Sequence, residues 1–133
     1  MNTIKKTKAP PAPGAVTFQQ LVHLALEIAH ERLQQLITIY QEDGAYDQDV
    51  VDIDYAVRVG VERLDRMRQR TFADYSEFDS EWFGIAAILK MSLKVLVDHD
   101  SFYGRSLKGA WTFFDQMRNT IEYVDVKGRL ARA

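Results

Sequence analysis

The sequence predicts an all-α fold: a single-domain bundle of four main helices, preceded by a disordered N-terminal tail. Three observations support this prediction. The chain has 133 residues, which suits one domain, and 47% of them are hydrophobic, which is enough for a core. All three prolines lie between Pro10 and Pro13. In the proline-free remainder, apolar residues recur in steps of three and four, which is typical of amphipathic helices.

Residues 1–16 are predicted to form a flexible tail. This segment, MNTIKKTKAPPAPGAV, contains Lys5, Lys6 and Lys8, followed by prolines and a glycine that disfavour a helix. No apolar run follows the lysines, so the tail lacks the pattern of a secretory signal. The helical bundle domain is therefore expected to occupy residues 17–133.

The first two helices have recognisable starts and ends. Helix one is expected to begin at Thr17, because Thr17 and Gln20 have the spacing of a capping box. It is expected to end within QEDGAY, where Gly44 can adopt a positive φ. Helix two is predicted over roughly residues 50–70. Within it, the stretch DVVDIDYAV also alternates briefly, which leaves a short strand as the alternative there.

The last two helices follow an acidic and aromatic connector. Helix three is predicted over residues 81–98, with Asp79 or Ser80 as its N-cap. It is apolar on nearly all sides, so we expect it to be the central helix of the bundle. If it is instead half exposed, the same pattern indicates self-association of two copies through helices three and four. Helix four is expected over about residues 106–124, followed by a frayed tail, DVKGRLARA.

Composition narrows the range of functions. The chain has no cysteine, which excludes disulfides, thiolate metal sites and a cysteine nucleophile. Its net charge of −2 indicates neither nucleic acid nor an acidic partner. The longest apolar segment, residues 82–89, is too short to cross a bilayer. We therefore expect a soluble, cytoplasmic protein that has no cofactor and does not bind a membrane.

The stretch HLALEIAHERLQQ raises the question of a metal site. His23, Glu27 and His30 share one face of helix one, and each carries a plausible metal ligand. That face lies opposite the apolar stripe, and the chain has no second E-x-x-H motif. We interpret the face as the solvent side of the helix and keep metal binding as a second alternative function.

The sequence carries no motif of nucleophilic catalysis and no glycine loop for phosphate, so we expect a protein that is not an enzyme. The stretch MRNTIEY, with Arg118 and Asn119, resembles the R-N-x-x-x-H element of HEPN-type ribonucleases, which are also small helical bundles. Tyr123 stands where that family has its histidine. The resemblance therefore does not bring the cleavage activity with it.

The predicted function is that of a non-enzymatic interaction protein, an adaptor, regulator or inhibitor that binds another protein. Two acidic stretches interleaved with aromatic residues, EDGAYDQDVVDID and DYSEFDSEWF, suit a protein interface. The predicted contact residues are Tyr46, Asp47, Asp49, Asp74, Tyr75, Glu77, Phe78 and Trp82. The other interpretation is that these stretches are connectors whose aromatic side chains close the core.

A nucleic-acid-binding module is the first alternative function. The stretch RLDRMRQR places arginines at the end of helix two, and the tail adds lysines; both residue types bind phosphates. The residues of this alternative are Lys5, Lys6, Lys8, Arg63, Arg66, Arg68 and Arg70. Arginines at a helix end also have a structural role, because they complement the helix dipole.

Overall fold

The computed structural model describes residues 16–43 and 48–132, and this part of the chain contains four α-helices and no strand. The helices are α1 (Phe18–Asp43), α2 (Gln48–Met67), α3 (Tyr75–Val95) and α4 (Phe102–Arg132). The predicted all-α fold of four helices is confirmed, and α2 occupies the stretch for which a strand was the alternative. The predicted tail lies outside the described residues except for Val16, so its flexibility stays a prediction.

Each helix of the bundle packs against two others. α1 and α3 each contact both α2 and α4, and among the described residues no Cα atom of α1 lies within 8 Å of one of α3, nor one of α2 within 8 Å of one of α4. Short connections make consecutive helices antiparallel. Helix α3 therefore occupies one of four comparable positions around the core. The expectation that it is the central helix was wrong, and its exposed apolar residues reflect this position.

The core is richest in aromatic side chains between α3 and α4. Trp82 stacks between Phe78 and Phe114, with ring centroids 5.1 and 4.2 Å away. The indole Nε1 of Trp82 donates a hydrogen bond of 2.9 Å to the carbonyl oxygen of Phe114. All three side chains are fully buried. Burial of this tryptophan is favourable because its single polar atom has a partner.

The start of α1 agrees with the sequence prediction. The Thr17 Oγ1 accepts a hydrogen bond of 3.1 Å from the Gln20 backbone N–H, and Gln20 Oε1 accepts one of 3.0 Å from the Thr17 N–H. These are the two reciprocal bonds of a capping box. The helix ends at Asp43, directly before the glycine that was expected to end it.

Helix α3 begins earlier than the sequence analysis predicts. Its N-cap is Asp74, whose Oδ1 accepts a hydrogen bond of 2.9 Å from the Glu77 N–H. The prediction of Asp79 or Ser80 as the cap was wrong. The acidic and aromatic connector is therefore largely helical. This change places Phe78 and Trp82 on the inner face of a helix.

Helix α4 is longer than predicted at both ends. At its start, the Ser101 Oγ accepts a hydrogen bond of 2.9 Å from the Gly104 N–H. Near its end, the buried Asp125 accepts a hydrogen bond of 2.9 Å from the Tyr75 N–H and pairs with Arg129 at 3.1 Å. Because Asp125 joins the last turns of α4 to the start of α3, the helix continues where fraying was expected.

Candidate binding site

The structure buries two of the residues predicted to contact a partner. Phe78 and Trp82 have no exposed surface, so their side chains cannot contact another protein. The prediction of these two as surface anchors was wrong, and the interpretation that the aromatics close the core holds for them. Tyr75, by contrast, is only partly buried and packs against the edge of the core.

The acids of the same prediction have partners within the bundle. Asp74 caps α3, and Glu77 accepts a hydrogen bond of 2.9 Å from Arg70. Asp49 accepts one of 3.2 Å from the Val97 N–H. These contacts favour a structural role for the acids. Of the other predicted contact residues, Tyr46 and Asp47 lie outside the described part of the chain.

Two of the three residues of the metal alternative, Glu27 and His30, lie along the seam between α1 and α2. Glu27 accepts two hydrogen bonds from Arg68, at 2.9 and 3.1 Å, and His30 Nε2 lies 3.2 Å from Asp65 Oδ1. His23 is exposed. Residues 16–43 and 48–132 contain no cluster of three side chains that could hold a metal ion. Nothing in this arrangement favours metal binding.

The arginines of the nucleic-acid alternative fall into two groups. Arg68 and Arg70 each donate to carboxylates of neighbouring residues in the fold, and Arg70 has both Glu77 and Glu81 as partners. Arg63 and Arg66 form no ion pair with any described residue. The lysines of the tail lie outside the described residues. The arginine run therefore presents fewer free cations than its sequence indicates.

An ion pair joins α3 to α4 near the start of α3. Arg118 donates from Nε and Nη2 to the two carboxylate oxygens of Asp79, and both distances are 2.9 Å. These hydrogen bonds raise the pKa of Arg118 above its ordinary value, despite partial burial. Burial and the negative charge of Asp79 raise the pKa of Tyr75 beside them. Arg118 and Asp79 thus neutralise each other within the fold.

Charge is not balanced where α3 ends and α4 begins. Five exposed cations there form no ion pair with any residue that the structure describes. We refer to them as the basic surface: Arg32, Lys90, Lys94, Arg105 and Lys108. They come from α1, α3 and α4, so only the folded bundle brings them together.

Two grooves lie within the basic surface, one on each side of α4. The arginine groove, between α1 and α4, is lined by Arg32, Gln35, Phe102, Arg105, Ser106 and Gly109. The lysine groove, between α3 and α4, is lined by Lys90, Leu93, Lys94, His99 and Trp111. Both grooves are open to solvent, and together they combine cations with aromatic and small side chains.

Aromatic rings hold two of these cations near the grooves without neutralising them. The Lys90 Nζ lies 5.8 Å from the centre of the Trp111 ring, and the Arg32 guanidinium carbon lies 5.2 Å from that of Phe113. Such contacts are attractive but leave the positive charge in place. The nearby turn adds two acids, Asp98 and Asp100, at the edge of the surface.

The basic surface was not predicted from the sequence, although one signal of it is present there. Four of its cations, Arg32, Lys90, Arg105 and Lys108, have no acidic residue three or four positions away in either direction. On a helix those are the positions from which a carboxylate reaches a neighbouring cation. Sequence spacing does not show whether a carboxylate of another helix pairs with them. Only the fold shows that none of the described carboxylates pairs with them.

A second exposed area is apolar. A groove between α2 and α3 includes Ala56, Ala87, Met91 and Val95, and Met91 and Val95 are 59% and 53% exposed. Half exposure of α3 was the condition under which the sequence predicts self-association. Contact between two copies stays a prediction, because nothing in the structure shows what covers this groove.

Comparison of the chain with protein-family models, with curated proteins and with solved structures finds no match. The described residues include no helix with the length and apolar character needed to cross a membrane. The fold and site define an antiparallel four-helix bundle that carries an unneutralised basic surface on three of its helices.

Proposed function

We propose that the chain is a non-enzymatic interaction protein that binds an acidic segment of another protein through the basic surface. One observation carries this proposal: four exposed cations line two grooves that flank α4, and neither they nor Lys108 have a carboxylate partner among the described residues. Arginine and aromatic side chains are common anchors in protein interfaces. The two grooves supply both types, with Arg32, Arg105 and Phe102 in one and Trp111 in the other.

The basic surface does not contribute to the stability of the free molecule through ion pairs. Like charges on neighbouring helix positions, such as Lys90 and Lys94, repel each other by a few tenths of a kcal/mol, on the order of the value for helical i,i+4 pairs. An acidic segment that binds across the grooves removes this repulsion. Complementary charge of this kind speeds association and selects the partner.

A protein segment suits this surface better than a long nucleic acid. The whole chain has a net charge of −2, so its overall field does not attract a polyanion from a distance. A duplex that covers the basic surface also meets the acids of the adjoining turn, Asp98 and Asp100. A short acidic peptide can bind the cations without covering this turn. Nucleic-acid binding is accordingly the alternative outcome of the test.

The test compares two double variants that remove the same charge. A fluorescein-labelled poly-glutamate peptide is titrated with each protein, and binding is followed by fluorescence anisotropy. We expect Lys90→Gln with Lys94→Gln to weaken binding about tenfold, because it removes two contacting charges. The control, Arg63→Gln with Arg66→Gln, removes two unpaired cations outside the basic surface and should leave the affinity nearly unchanged.

Three outcomes of this experiment would contradict the proposal. The wild-type protein could fail to bind poly-glutamate, or both double variants could weaken binding equally, which would indicate a general charge effect. A labelled DNA duplex could also bind more tightly than the peptide at the same salt concentration. If the control variant then lost the duplex, the arginines of α2 would be the functional surface and the nucleic-acid alternative would replace the proposal.

A further inference from the structure

We infer that the arginine groove is a subsite for a phosphate monoester, carried by a phosphorylated side chain of the acidic partner segment. This inference rests on the proposed function and specifies what one half of the basic surface recognises. It starts from the difference between the two grooves. The arginine groove has two guanidinium groups and small residues, while the lysine groove has two ammonium groups beside Leu93 and Trp111.

The guanidinium of Arg32 reaches from α1 across the seam to α4. Its Nη1 is so close to Gly109 that a Cβ added there would lie 3.8 Å from it, and its central carbon lies 5.2 Å from the Phe113 ring. The ring contact holds the group in place. Since no described carboxylate pairs with it, its N–H groups remain available to a ligand.

Arg105 supplies a second positive charge to the same groove. Two guanidinium groups match a phosphate monoester, which carries a charge of about −1.5 to −2 at neutral pH and three acceptor oxygens. A carboxylate brings only one negative charge and two acceptor oxygens, so it balances two guanidinium groups less well. The planar fork of arginine also binds two phosphate oxygens at once, which a lysine ammonium does not do.

The remaining groups of the groove are compatible with a phosphate. The Ser106 hydroxyl and the Gln35 amide line it and can both donate hydrogen bonds. Helix α4 begins at Phe102, so the positive end of its dipole lies at the same groove. Phe102 itself is 61% exposed at the edge, where its ring can contact the carbon atoms of the phosphorylated residue.

The inference is tested with two labelled peptides of identical glutamate-rich sequence, one with a central phosphoserine and one with serine. We expect the wild-type protein to bind the phosphopeptide about tenfold more tightly, because of the paired charge-assisted hydrogen bonds. Arg32→Gln with Arg105→Gln should bind both peptides equally. Arg32→Lys with Arg105→Lys should also lose most of the preference, since it keeps the charges but removes the forks.

The matched control is Lys90→Gln with Lys94→Gln, which should weaken both peptides by the same factor and keep the preference. Thermal unfolding checks that each variant is folded. Equal wild-type affinity for the two peptides would overturn the phosphate subsite but leave peptide binding intact. A preference that survives Arg32→Gln with Arg105→Gln would place the phosphate elsewhere and also overturn it. If neither peptide binds, the proposed function itself fails.

Free phosphate is the other source of the same chemistry. Inorganic phosphate should compete with the phosphopeptide only weakly, because the acidic residues of the peptide contribute the remaining contacts with the lysine groove. If inorganic phosphate bound as tightly as the phosphopeptide, the groove would be a site for the free anion, and the assignment to a phosphorylated protein segment would be wrong.

Discussion

The two halves of the seam between α3 and α4 differ in how their charges are balanced. Where α3 begins, Arg118 and Asp79 neutralise each other through two hydrogen bonds. Where α3 ends, Lys90, Lys94 and Lys108 are exposed, and none of the described carboxylates pairs with them. The first half uses its charges to hold two helices together. The second half presents them to solvent, where a partner can bind them.

The two tryptophans show the same division. Trp82, in the balanced half, is fully buried and donates its indole N–H to a backbone carbonyl. Trp111, in the basic half, is partly exposed and lies beside Lys90. One residue type therefore supports the core in one half and lines a groove in the other. Position in the folded bundle, rather than residue type, decides its role.

The largest difference in stability is expected between the alanine variants of the two tryptophans. Trp82→Ala should lower the free energy of unfolding by about 3–5 kcal/mol, because it leaves a cavity between two stacked rings. Trp111→Ala should lower it by about 1 kcal/mol, since less apolar area is lost, and should weaken poly-glutamate binding. Chemical denaturation measures the first quantity and anisotropy the second. Equal losses of stability would remove the proposed distinction between the two halves.

A smaller effect is expected from the charged residues. Asp79→Asn should lower the free energy of unfolding by about 1–3 kcal/mol, because Arg118 keeps its charge and loses its carboxylate partner. Lys94→Gln should change it by less than about 0.5 kcal/mol, as an exposed residue without an ion pair would. Urea denaturation of both variants gives the comparison. A large loss in Lys94→Gln would show that this lysine has a structural role after all.

Two glycines at the start of α4 refine the comparison within the basic half. A Cβ at Gly104 would lie 2.5 Å from the Asp98 carbonyl oxygen, so Gly104→Ala must displace the turn and should cost about 1–2 kcal/mol. At Gly109 the nearest group is the Arg32 guanidinium at 3.8 Å. Gly109→Ala should therefore stabilise the helix by up to about 1 kcal/mol. Thermal unfolding of both variants measures these two effects. Destabilisation by Gly109→Ala would contradict the conclusion that the arginine groove has room for a methyl group at this position.

Much of the fold could be predicted from the sequence, because its signals are local. The capping box of Thr17 and Gln20 and the apolar periodicity depend on residues a few positions apart. The start of α3 was missed because Asp74 competes with Asp79 and Ser80 as a cap in a polar stretch. The central position assigned to α3 failed for a different reason. An apolar surface all around a helix does not show which side is covered.

The candidate site could not be predicted in the same way, because it depends on which charges find partners across helices. Arg68 pairs with Glu27, 41 positions away in the chain, and local sequence does not reveal this. Arg32 and Arg105 belong to different helices that only the fold brings to one groove. From the sequence, the arginines of α2 therefore seem more available to a ligand than they are in the fold. For the same reason the basic surface is not predicted.

NMR mapping of the peptide-binding site on the protein tests most directly the claim that the basic surface binds an acidic segment. Isotope-labelled protein is titrated with the poly-glutamate peptide, and chemical-shift changes are followed for backbone and side-chain groups. We expect the largest changes at Lys90, Lys94, Arg105 and the Trp111 indole, with the signals of Asp79 nearly unchanged. Changes concentrated around Asp79, or spread evenly over the whole bundle, would contradict the claim.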